Sequence, residues 1–166
     1  MAIAPAGYAT GSRPIETIGV AYDESEPSEV AVAHSALLAA DLSAKLQVRE
    51  IVELQVYGAA SWASVAVVVE DPDVLAAAAL ERIGLVPGAQ LDIIVGPVRT
   101  ELAALSDAVD LMVCGSRQQG AAKRVLLGST SDYLARHSRC PLLVTPASDA
   151  KGIAAWQELR EGAPAV

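Results

Sequence analysis

The sequence predicts an α/β fold of the Rossmann-like kind, an open five-stranded parallel sheet with helices on both faces. Two observations predict it. The candidate strands are short continuous runs of Val, Ile and Leu rather than alternating patterns, as expected for strands buried on both faces. Periodic stretches long enough to be crossover helices separate them, so the units are βαβ and right-handed. A chain of 166 residues is one domain's worth, and a chain of that size buries about 70% of its unfolded surface, so it needs no disulfide or structural metal.

Thr17 to Tyr22 reads as the first strand, closed by Asp23-Glu24-Ser25. Ser25 is placed to cap a helix with Glu26 and Pro27 in its first turn, where a missing N–H costs nothing. That helix runs to about Ala44, with Val30, Ala33, Leu37 and Ala40 as its apolar face and Leu38 and Leu42 widening it. Leu46 to Leu54 is a second strand made partly polar by Arg49, Glu50 and Glu53. Tyr57 to Glu70 has no readable period. Asp71-Pro72 opens a helix over Asp73 to Leu85 that ends near Pro87-Gly88. Leu91 to Val95 is a third strand, closed by Gly96-Pro97. Val98, Leu102, Leu105 and Val109 then form an amphipathic stripe. Leu111 to Cys114 is a fourth strand that runs into Gly115. Ser129-Thr130-Ser131-Asp132 has the form of a capping box opening a helix to about Arg139, and Leu142 to Val144 is a fifth strand. Residues 1–14 read as a loose arm, 15–146 as the single domain and 147–166 as a tail.

No apolar run approaches the roughly 20 residues that span a bilayer. The first residues lack a basic start and an apolar core of a leader, so a cytoplasmic protein is expected. A net charge of −8 with only two Trp, four Tyr and no Phe excludes a general nucleic-acid binder, which needs a basic face and stacking platforms. Cys114 and Cys140 are expected as reduced, strand-associated small hydrophobes. No metal-ligand cluster or nucleophile elbow emerges. His34 and His137, without carboxylate or Cys neighbours, read as ordinary helix residues, and the chain is expected not to be an enzyme.

In an open α/β sheet, ligands bind beyond the carboxyl ends of the strands where the strand order reverses. The residues placed there are Asp23, Gly96 and the loop from Gly115 to Ser129. A glycine leaving a strand and a Gly128-Ser129 pair at a helix start supply backbone N–H donors and a positive dipole end for a phosphate. Gly115 to Gly120 has the outline of a Walker A loop, but Ala121-Ala122 stands where Lys and Ser/Thr belong. The triple-glycine dinucleotide pattern is absent. A single Asp23, with no Lys closing the fifth strand, speaks against a phospho-receiver. As turn and cap chemistry alone, Gly115, Gly128 and Ser129 need no ligand.

Asp23-Glu24-Ser25-Glu26-Pro27-Ser28, Val95-Gly96-Pro97, Asp110 to Arg117, Val125 to Ser129 and Cys140 to Val144 together resemble the universal stress proteins. The resemblance covers about Glu16 to Pro146 and is loosest between Gln55 and Pro72. It implies the strand order 3-2-1-4-5, a homodimer, a regulatory role in stress, and in one branch ATP binding through a motif G-x-x-G, nine residues, then G-S/T. Gly115 fits its first glycine and Gly128-Ser129 its last pair, followed by Thr130, while Gln118 stands in place of the second glycine. Asp23 matches the acidic residue that contacts the nucleoside, and Ile51 the apolar residue that lies against adenine.

A non-glycine residue held at positive φ costs about 1–2 kcal/mol, roughly a tenfold loss of affinity if the loop keeps its shape. Two readings therefore stand: a regulator that binds ATP or AMP, helped by Mg²⁺, or a nucleotide-free dimer of the same fold that binds a regulatory partner, its site lost through Gln118. Glu50, where many relatives carry His, favours the second. Dimerisation is expected through pairing of the last strand, Leu142 to Thr145, as an open edge. From Gly115 to Cys140, Arg117, Lys123, Arg124, Arg136 and Arg139 against Asp132 give 5 − 1 = +4, leaving −12 elsewhere. That balance places cationic charge in the segment of the candidate phosphate loop.

Overall fold

The computed structural model describes residues 1–4, 14–53, 86, 88–116 and 128–146, with the single positions 154 and 158. In chain order the elements are β1 (Ala2–Ile3), β2 (Thr17–Tyr22), α1 (Glu26–Leu42), β3 (Lys45–Val52), β4 (Ala89–Val95), α2 (Val98–Ala108), β5 (Leu111–Gly115), α3 (Ser129–His137) and β6 (Leu142–Thr145). The helix expected over 73–85, the unread stretch 57–70, Gln118 with its loop, and all but two positions of the tail lie outside the described residues.

The strands form one sheet in the order β1-β6-β5-β2-β3-β4. From β4 to β6 this is the expected 3-2-1-4-5, every pairing parallel. The strand count needs correction. Ala2 and Ile3, expected in a loose arm, add a sixth strand that runs antiparallel to β6, Ala2 opposite Leu143 and Ile3 opposite Leu142. These residues lie along the edge of β6 in the single chain. A strand this short has no periodicity to read.

Side chains alternate between the two faces of the sheet. Ile18, Val20, Tyr22, Val48 and Val113 face Ala31, Val32 and Ala39 of α1. Met112, Cys114, Leu142 and Val144 face Leu102, Leu105 and Val109 beside α2 and Leu134 of α3. The α2 stripe is as expected, with Leu102, Leu105 and Val109 buried. The α1 stripe is so only in part: Val30 and Ala33 are buried. Leu37 and Leu42 are exposed at 51% and 45%, and the buried positions include Ser28, Val32, Ser35 and Ala39. Burial of the two serines is tolerable because each hydroxyl bonds a carbonyl one turn back, Ser35 to Ala31 at 2.7 Å and Ser28 to Ser25 at 2.8 Å, so neither is an unsatisfied donor.

β3, read as a strand interrupted by charge, lies between β2 and β4. Arg49 stands opposite Asp92 in the β3–β4 register and pairs with it at 3.0 Å. Asp110 ties the entry of β2 to that of β5, since its carboxylate accepts the backbone N–H groups of both Glu16 and Thr17 at 3.0 Å. Removing it leaves two donors short of a partner. Asp110→Ala is expected to cost about 1–3 kcal/mol, read as a lower urea midpoint with an unchanged slope.

Candidate functional site

A cavity of about 660 Å³ opens at the carboxyl ends of β2, β3 and β5, where the order turns from β3 on one side of β2 to β5 on the other. Its size falls in the range of small-molecule sites. The starts of α1, α2 and α3 all face it, contributing Ser25, Pro27 and Ser28, then Val98, Arg99 and Thr100, then Ser129, Thr130 and Ser131. Parallel strands followed by returning helices place helix N-termini at this end, so each brings the positive end of a dipole.

Among the sequence-predicted residues, Asp23, Ile51, Gly115, Ser129 and Thr130 line this one cavity. Gly128 stands beside it as the residue before α3. Gln118 is outside the described residues. Ser129 does not cap α3: Gly128 occupies the cap position, so the expected capping box is displaced by one residue and has no side chain to bond the first turn. Ser25 precedes α1 as expected but makes no cap bond either. Its hydroxyl instead donates to the Asp23 carboxylate, and its N–H to the same oxygen at 3.3 Å. The turn between them needs Glu24 at φ +59°, a left-handed conformation that costs a non-glycine residue about 1–2 kcal/mol.

The two glycines differ in what holds them. A Cβ on Gly115 would lie 2.3 Å from the carbonyl oxygen of Pro27, because the first turn of α1 crosses directly over it. Packing alone therefore demands glycine there. A Cβ on Gly128 would meet only the Ser131 hydroxyl, at 3.7 Å, among the described residues, and its φ of −62° suits any residue.

Of the five cations in the segment from Gly115 to Cys140, the two among the described residues do not line the cavity. Arg136 pairs with Asp132 at 2.7 Å and Arg139 lies 3.8 Å from Asp107, and neither lines the cavity. Arg117, Lys123 and Arg124 lie outside the described residues. Among the described residues the lining cations are Arg49 and Arg99. Arg49, with its side chain 12% exposed, is held by Asp92 and by the Glu101 carbonyl at 3.3 Å, while its buried Nε has no partner. It lies two residues before Ile51, and the strand period of two could have placed it on the same face. Arg99 sits 5.9 Å from the ring centroid of Tyr133, which stacks on His137 at 3.9 Å. Both escaped the sequence reading because a first-turn arginine and a helix tyrosine are common on any surface.

The helix starts are not equivalent toward an anion. Glu53, at the end of β3, accepts the first N–H of α2 from Val98 at 3.4 Å. The first turn of α3 carries Asp132, but Arg136 neutralises it one turn on. Burial pushes the Cys114 thiol, on the cavity wall, up to about 12.

Gly115→Ala is expected to lower the melting temperature by several degrees, as the first turn of α1 must shift off the new methyl group. Native Cys114 is expected to resist a thiol reagent at pH 8 and to react after urea unfolding. Because its folded value lies above its unfolded one, its contribution to stability is complete below about pH 9 and declines as the pH rises toward 12. Urea melts across that range, compared with Cys114→Ala, measure the decline.

The family model of the universal stress protein family matches residues 14–146. Among solved structures, a universal stress protein in complex with cAMP is similar at 22% identity and a TM-score of 0.61, over 82% of this chain and 100% of that one. The universal stress protein UspA from Lactobacillus plantarum is similar at 22% identity and 0.58, over 80% and 98%. An Arabidopsis thaliana universal stress protein family protein with AMP bound reaches 18% identity and 0.50, over 82% and 93%. No curated protein sequence matches the chain. At these identities the structures establish the fold, and the family model covering most of the chain establishes the lineage: the chain belongs to the universal stress protein family.

Proposed function

We propose that this protein binds an adenine nucleotide, ATP or AMP, in the cavity at the carboxyl end of the sheet and acts as a regulator through its occupancy. The observation that carries the reading is the start of α3. Gly128 leaves that helix without a side-chain cap, Ser129 and Thr130 line the cavity, and the described contacts give no steric reason for a glycine there. A position free of a side chain lets a phosphate approach the N–H groups of the first turn. Two of the similar structures are described with cAMP and with AMP bound, which supports the same ligand class.

In this reading the base lies against Ile51 and Val98, the Asp23 carboxylate accepts a ribose hydroxyl, and the phosphates meet Ser129 and Thr130 with Arg99 across the mouth. Among the described residues no group of three or more His, Cys, Asp or Glu side chains is gathered to hold a metal ion. A Mg²⁺ ion would therefore be carried chiefly by the phosphates and water, as such ions commonly are. With no lysine at a Walker position, the reading is binding and signalling rather than rapid hydrolysis.

Calorimetric titration with ATP and with AMP tests it. Saturable heat is expected, and neither heat nor thermal shift at millimolar nucleotide would overturn it in favour of the nucleotide-free, partner-binding reading. Gly128→Ala is expected to fold as well as the parent yet bind more weakly. Arg99→Glu is expected to lose about tenfold in affinity, about 1.4 kcal/mol, more for ATP than for AMP because the longer phosphate chain carries more charge.

A further inference from the structure

We infer that the cavity takes guanine nucleotides as well as adenine ones, and holds a guanine base the more tightly, through Arg49 and Glu53. The inference rests on the nucleotide reading above and names a ligand class within it. β3 and the residue that follows it bring Arg49, Ile51 and Glu53 to the cavity. A strand alternates its faces, so these three, two residues apart, share one of them. In order they are a donor, an apolar platform and an acceptor. A base lying between Ile51 and Val98 therefore has Arg49 toward the start of the strand and Glu53 toward its end.

Hydrogen-bond accounting gives each end its sign. A guanidinium carries five N–H donors and no acceptor. The Asp92 carboxylate takes one from Nη2 at 3.0 Å and the Glu101 carbonyl one from Nη1 at 3.3 Å. Both terminal nitrogens thus keep an N–H beyond these bonds, and the buried Nε has no partner at all. A charged group left short of acceptors in a cavity wall favours a ligand that supplies them. At the other end one Glu53 oxygen accepts the N–H of Val98 at 3.4 Å, and an ionised carboxylate has capacity for more than that single bond. Guanine presents O6 and N7 as adjacent acceptors, the pair an arginine reads best. Its N1–H and 2-amino group, on the far side of O6, are adjacent donors that suit a carboxylate. Adenine carries a 6-amino donor beside N7 and an acceptor at N1, so it turns a donor toward Arg49 and an acceptor toward Glu53. Each of those contacts sets like against like.

GMP, IMP and AMP share one sugar and one phosphate, so their relative affinities for the full chain report the base alone. Calorimetric titration is expected to rank them GMP, IMP, AMP, with GMP about tenfold or more tighter than AMP. IMP keeps the 6-oxo group and lacks the 2-amino donor. Glu53→Gln, which removes the charge from that end, is expected to lower the GMP-to-IMP affinity ratio about threefold or more. Arg49→Leu with Asp92→Leu, which leaves neither charge of the pair behind, is expected to lower the GMP-to-AMP and IMP-to-AMP ratios about fivefold or more. AMP bound as tightly as GMP, or ratios in both folded variants equal to those of the parent, would overturn the inference and leave the nucleotide reading standing. Heat from none of the three nucleotides would overturn both. If the double variant does not melt cooperatively, the ratio in Glu53→Gln decides the matter alone.

Discussion

The crossing of α1 over the end of β5 is the constraint on which the site depends. The carbonyl of Pro27 lies where any side chain at position 115 would be, so helix and strand meet backbone to backbone. That contact brings Ser25 and Ser28 to the same cavity as Gly115. It also explains the turn before it. To enter α1 this close to β5 the chain must reverse within Asp23-Glu24-Ser25, and it does so with Glu24 in a left-handed conformation while the Asp23 carboxylate binds Ser25. The strained residue and the obligatory glycine are two ends of one packing requirement.

Electrostatics in the cavity divide along the same lines. On the β3 side, Arg49, Asp92 and Gln47 form a connected polar group, both partners bonding the Asp92 carboxylate, and Arg49 reaches on to the backbone of α2. That group joins β3, β4 and α2 across the cavity wall. A half-buried ion pair of this kind adds less to stability than it does to position, since partial desolvation offsets part of its attraction. On the α3 side, among the described residues, Arg136 pairs with Asp132, and the start of the helix and Arg99 line the cavity.

The fold was legible where burial leaves a period. The α2 stripe was readable because Leu102, Leu105 and Val109 repeat with the helix, and the parallel sheet because its strands are apolar on both faces. The buried face of α1 was legible only at Val30 and Ala33, because beside Val32 it is completed by serines that bond within their own helix and alanines that carry little hydropathy. The candidate site was legible at Asp23, Ile51, Gly115, Ser129 and Thr130, which chain topology brings to one end of the sheet. Arg49 was hidden because a charge in a strand reads as an exposed position, and its partner Asp92 lies 43 residues away. Gly115 was recognised by its place in a motif, but its cause, contact with α1, is visible only in three dimensions.

The thiol on the cavity wall has a consequence for what an entering molecule meets. Cys114 keeps its proton throughout the physiological range, and a thiol is oxidised mainly through its thiolate. This position of the wall is therefore a poor target for oxidants while the fold is intact. A molecule entering the cavity meets at Cys114 a neutral, weakly polar sulfur rather than a charge or a reactive nucleophile.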